Sequence, residues 1–72
     1  MTGHDLKTMR LGVLIERTRK DGKQVTTSLT QGELAESLGV STKTIQNWEA
    51  GGEIKPMTAR VIEAAIEDLR PK

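Results

Sequence analysis

An all-α fold of four helices is the architecture this sequence predicts. Three observations carry the prediction. Apolar residues recur at helical spacing along most of the chain, Thr and Ser stand where helix caps are needed, and Gly or Pro closes the helical stretches. The 72 residues read as one small domain, residues 1–72, near the lower end of what a single core can hold together. Trp48 is the only aromatic and hydrophobic residues make up 35%, so the core has to be aliphatic.

Thr2 or Asp5 caps a first helix that is expected to continue to about Arg19. Leu6, Met9, Val13 and Arg17 follow the helical spacing, and Leu11, Leu14, Ile15 and Thr18 make a neighbouring stripe. Two stripes form a wide face for a surface helix. Either one meets the core and the other a partner chain, or the helix is deeply buried in a small domain. Lys20–Leu29, KDGKQVTTSL, reads as a loop with a short extended piece. Asp21-Gly22 is a turn pair and Val25-Thr26-Thr27 are β-branched, which would allow a hairpin from about Arg17 to Leu29. The helical reading of 11–18 opposes a long one. The lysines and threonines of this loop either touch a nucleic-acid backbone or keep the loop soluble, and the second account is simpler.

Thr30 opens the second helix with a capping box, Thr30 and Glu33 satisfying each other's backbone amides. Leu34, Ala35 and Leu38 form its inner face, Gly39 takes the left-handed position past its end, and Ser41 caps the third helix. That helix, about Thr42 to Ala50, turns Ile45 and Trp48 inward and is ended by Gly51-Gly52. Glu53–Pro56 is extended. Thr58 caps a fourth helix reaching about Leu69, with Val61, Ile62, Ala65, Ile66 and Leu69 as its apolar face and Pro71 as its stop.

Several function classes find no support. Without cysteine there is no disulfide framework or thiol chemistry, which fits a reducing cytosol. No apolar run approaches the roughly 20 residues that span a bilayer and no signal-like segment opens the chain, so a cytoplasmic protein is expected. His4 is the lone histidine, and Glu63, Glu67 and Asp68 are spaced as helix-surface charges; neither metal, cofactor, small-molecule ligand nor enzymatic activity is expected. The formal charge is only +1, but residues 1–29 hold six cations against three carboxylates, while 52–72 hold four of each. A basic front suits a phosphate-facing surface, and ordinary solvated charge explains it equally well.

The informative stretch is residues 30–51, TQGELAESLGVSTKTIQNWEAG. A small Ala35 where two helices must approach, Gly39 at the turn, and Ile45 and Trp48 as anchors are the packing pattern of a helix-turn-helix, in which the second helix is held out as a probe. The combination of Gln31, Leu34-Ala35, Leu38–Ser41, Ile45 and Trp48-Glu49 resembles the Cro/repressor-type, or xenobiotic-response-element, helix-turn-helix family of phage and bacterial transcription regulators. The resemblance implies a lambda-repressor-like all-α domain of four or five helices that binds double-stranded operator DNA, usually as a symmetric dimer. It assigns Gln31, Ser41 and Thr44 to phosphate, and Thr42, Lys43, Gln46 and Asn47 to bases. Lys43 can donate to guanine O6/N7 and Asn47 can pair bidentately with adenine N6/N7. It also links Glu49 to an arginine of the first helix, Arg10, with Arg17 as the substitute.

The chain departs from the family pattern in three places. The connection between the first two helices is unusually long, Ala50 stands where many members have asparagine, and no clear fifth helix follows. The expectation is a repressor or autorepressor of a phage or mobile element, acting as a homodimer on a palindromic operator. The alternatives are a protein-interaction module of the antitoxin or antirepressor kind, gripping a partner with the first helix, and an excisionase-like architectural DNA binder.

Overall fold

Local rules decide the start of the chain. In the computed structural model, which describes residues 1–71, the first helix α1 spans Gly3–Leu11. Thr2 Oγ1 accepts the Asp5 amide at 3.1 Å and an Asp5 carboxylate oxygen accepts the Thr2 amide at 3.0 Å, a complete capping box. The helix stops at Gly12, whose amide still reaches back to Thr8 and Met9 carbonyls.

Beyond Gly12 the fold is not all-α. Leu14–Thr18 is a strand, β1, and Gln24–Ser28 a second, β2, paired antiparallel from Leu14↔Ser28 to Thr18↔Gln24. The predicted helix to Arg19 and the predicted loop over 20–29 are therefore replaced by a hairpin. Its physical cause is visible residue by residue. Gly12 lowers helix propensity where the helix would have to continue, β-branched residues follow it, and burial along β1 alternates with a period of two. At the tip Gly22 takes φ +84, and the Asp21 side chain accepts the Lys23 amide at 3.0 Å, so Asp21-Gly22 closes the turn. The second apolar stripe of the first helix disappears with it: Leu11 and Leu14 are exposed, and Ile15 is half-buried on the hairpin. The hairpin is anchored at its base, where fully buried Val13 and Leu29 share a backbone hydrogen bond of 2.8 Å.

Three more helices follow: α2, Gln31–Leu38; α3, Thr42–Ala50; and α4, Pro56–Leu69. The last begins three residues earlier than the Thr58 cap predicts. Pro56 occupies its first turn, where an amide would lack a partner anyway, and no side chain caps it. Leu6 of α1, Val13 and Leu29 of the hairpin base, Leu34 and Ala35 of α2, Ile45 of α3, Ile54 of the linker, and Ala59, Ile62, Ala65 and Ile66 of α4 form one aliphatic core. Met9, Leu38, Val40, Trp48 and Leu69 pack against its edge. Among the described residues, no helix is long and apolar enough to cross a membrane.

The chain start is fastened to the far end of α3. The Gly3 amide donates to the Gly52 carbonyl at 2.9 Å, the Ile54 amide donates to Met1 at 2.6 Å, and Thr2 forms a bridge with Glu53. Gly3 permits this approach. A Cβ there would run into the Trp48 carbonyl oxygen and lie 2.7 Å from those of Glu49 and Gly51.

Candidate nucleic-acid interface

Two helix ends meet to make the site, and their caps fix the meeting. Thr30 Oγ1 accepts the Glu33 amide at 3.1 Å and Glu33 accepts the Thr30 amide at 3.0 Å. At the other end of α2, Gly39 adopts φ +72 and ψ +28, and the Val40 amide reaches back to the Ala35 carbonyl at 3.0 Å. This is the six-residue closure that turns a helix sharply and satisfies its last carbonyls. Ser41 then starts α3, its Oγ accepting the Thr44 amide at 3.2 Å and lying 3.0 Å from the Thr44 hydroxyl. Thr42 Oγ1 sits 3.7 Å from where a Cβ on Gly32 would stand, so the first turns of α2 and α3 lie side by side. Both present free amides and the positive end of a helix dipole.

On α3, buried Ile45 and half-buried Trp48 face the core. Thr42, Lys43, Gln46 and Asn47 are exposed, as is Ser41; Thr44 and Gln31 are half-buried. Among the described residues, none of the Thr42, Lys43, Gln46 and Asn47 side chains is held by an intramolecular hydrogen bond. They form a polar surface with free donors and acceptors on a short, rigidly capped helix.

The orientation of α3 is set by a buried ion pair. Arg10 Nε and Nη2 donate to the two oxygens of Glu49 at 2.8 and 3.1 Å, and Nη1 donates to the Leu29 carbonyl at 2.8 Å. The two side chains retain 10% and 6% of their exposure, which marks this pair as interior rather than superficial. Gln31 Nε2 donates to the same carboxylate at 3.2 Å. Burial pushes the Glu49 carboxyl up, but the donors from Arg10 and Gln31 outweigh it and hold it below the usual carboxylate range. One carboxylate thus ties α3 to α1, to the hairpin base and to the first residue of α2. Arg10, not Arg17, is the partner the resemblance implies. The Gln31 amide keeps its second N–H and its carbonyl oxygen for an outside group.

Arg17 has a different role, which the sequence reading missed. Its Nη2 meets Glu33 at 2.5 Å and its Nε meets Thr27 Oγ1 at 2.5 Å, tying the hairpin to the first turn of α2. The hydrogen bond from Arg17, helped by the Thr30 amide, lowers the Glu33 carboxyl to about 2. The signal was present in the alternation of Ile15 and Arg17 on one strand face, and the helical reading of 11–18 concealed it.

Comparison with known proteins agrees with this geometry. A family model described as helix-turn-helix matches residues 28–67, from the end of β2 through most of α4. No curated protein and no solved structure matches the chain. With more than half of its length matched, and with α2, the Gly39 turn and α3 in place, the chain belongs to the helix-turn-helix family of DNA-binding transcription regulators.

Proposed function

We propose that this protein is a sequence-specific repressor, acting as a cytoplasmic homodimer on a palindromic operator. Residues 1–72 act as one DNA-binding domain with residues 30–51 as its reading element, and α3 lies in the major groove. Thr42, Lys43, Gln46 and Asn47 face base edges, while Gln31, Ser41 and Thr44 face phosphates. The observation that supports this most is the contrast on α3: four exposed side chains without intramolecular partners stand on a helix whose other side is locked by Arg10–Glu49. A reading surface needs that combination, because rigidity keeps the donors at fixed spacing and freedom from internal bonds leaves them available. In a two-fold dimer the two α3 helices would be about 34 Å apart, one turn of the duplex. Repression follows from occupancy of a promoter.

The rival reading, a protein-interaction module, drew on a wide apolar face of the first helix. That helix ends at Leu11, so Leu14, Ile15 and Thr18 of that face lie on the hairpin instead. Selecting bound sites from a random duplex library tests the proposal: a palindromic consensus is expected. Lys43→Ala with Asn47→Ala should reduce discrimination between the consensus and its single-base variants by about 1–3 kcal/mol per lost contact, with folding intact by circular dichroism. Unchanged discrimination would remove these residues from the reading surface.

A further inference from the structure

The hairpin carries charge that neither the core nor the ion pairs use. Its register sorts the side chains cleanly. Ile15 and Arg17 on β1 and Val25 and Thr27 on β2 share the face that turns towards α2, as the Arg17 contacts to Thr27 and Glu33 demonstrate. Glu16 and Thr26 share the opposite face. Continuing the alternation beyond Arg17 and Val25, the next residues on the inner face are Arg19 and Lys23, which are themselves linked by a backbone hydrogen bond of 2.7 Å. Lys20 stands in the turn between them. Among the described residues, none of these three cations forms an ion pair; the pairs are Arg10–Glu49, Arg17–Glu33 and Arg70–Glu67. The only carboxylate of the tip, Asp21, accepts the Lys23 backbone amide. Two residues of strand carry Arg19 about 7 Å past Arg17, whose own charge is met by Glu33 at the first turn of α2. Three cations without ion-pair partners among the described residues therefore stand further along the hairpin than the arginine that is paired to the first turn of α2.

We propose that the hairpin tip is a second contact on the DNA backbone, with Arg19 and Lys23, aided by Lys20, set on phosphates flanking the groove that α3 enters. This rests on the reading of α3 and the α2 N-terminus as the DNA-facing surface. A duplex presents a phosphate on each strand every 3.4 Å or so of axis, so a spacing of about 7 Å along the hairpin matches roughly two base steps. Lysine and arginine on phosphate add affinity and footprint without reading sequence.

The test compares the protein with an Arg19→Ala, Lys23→Ala variant and a charge-preserving Arg19→Lys, Lys23→Arg variant. Each is titrated with a pool of random-sequence duplexes of about 30 base pairs, and with the library-selected site, across about 50 to 200 mM salt. Two lost phosphate contacts should lower the slope of log affinity against log salt by about 1.8, so the unsubstituted protein loses about tenfold more affinity over that range than the alanine variant. The charge-preserving variant should keep the original slope, and all three should rank single-base variants of the selected site alike. A change in slope of less than about half that value, or an equal loss in the charge-preserving variant, overturns the hairpin contact. If the unsubstituted protein binds neither duplex, the DNA reading of α3 falls as well, which separates the two failures.

Discussion

Replacing Glu49 by alanine tests what holds α3 in place. In the native protein the Arg10 guanidinium is buried and has three acceptors, two on Glu49 and one on the Leu29 carbonyl. The substitution leaves a buried cation with one acceptor, and the Gln31 amide loses its partner too. Breaking a buried pair from one side costs about 3–5 kcal/mol, whereas an exposed pair is worth about 0–1 kcal/mol. A chain of this length has a total stability of about 4–11 kcal/mol, so Glu49→Ala removes a large share of it. Urea unfolding followed by circular dichroism is the assay. With a slope near 1 kcal/mol/M for so small a protein, the midpoint should fall by about 3–5 M, or the variant should be unfolded without urea. Removing both charges with Arg10→Met and Glu49→Leu should recover most of the loss, because no uncompensated charge remains. A Glu49→Ala cost below about 1 kcal/mol, or a double variant worse than Glu49→Ala alone, would refute the reasoning.

Two further outcomes follow from the same geometry. Glu33 is held at about 2 by Arg17 and Thr30, against an ordinary value of 4.5, so its contribution to stability is fully present above pH 4.5 and is lost as pH falls towards 2. Because the side chain keeps 35% of its exposure, solvent screening limits that contribution to about 1 kcal/mol, and Glu33→Gln should flatten the acid limb of the urea midpoint by that amount; an unaltered limb would remove the pair from the account. Gly3→Ala forces a methyl group against three carbonyl oxygens at the end of α3 and should cost about 1–3 kcal/mol, a fall in Tm of about 4–8 °C for each kcal/mol, while Gly52→Ala, which meets no atom within 4 Å, should be close to neutral; equal effects in thermal melts would contradict the packing.

Legibility from sequence divided along a physical line. Residues 30–51 were readable because each local signal agreed with its neighbour: the Thr30–Glu33 box, Gly39 with positive φ, the Ser41 cap, and Ile45 three residues before Trp48. Where local rules competed, the reading failed. MRLGVLIERT satisfies both a helical and an alternating pattern, and only Gly12 and the pairing with QVTTS decide between them. Strand pairing is a property of two segments at once, so neither segment announces it alone. The same holds for Pro56 against Thr58: both can begin a helix, and the position of Ile54 and Ala59 in the core fixes which one does. The side chains on the outer surface of α3 were legible as exposed, because the core claims Ile45 and Trp48.

The fastening of the chain start to the end of α3 bears on how recognition relates to folding. Gly3 meets Gly52, and Arg10 meets Glu49 across 39 residues of sequence. The helix that would enter the groove is therefore gripped by contacts that close only when most of the chain is already assembled. Local fraying of α3 must break bonds to the opposite end of the polypeptide, which couples its opening to global unfolding. Loss of fold and loss of the exposed α3 surface then become a single event, and that surface is present whole or not at all.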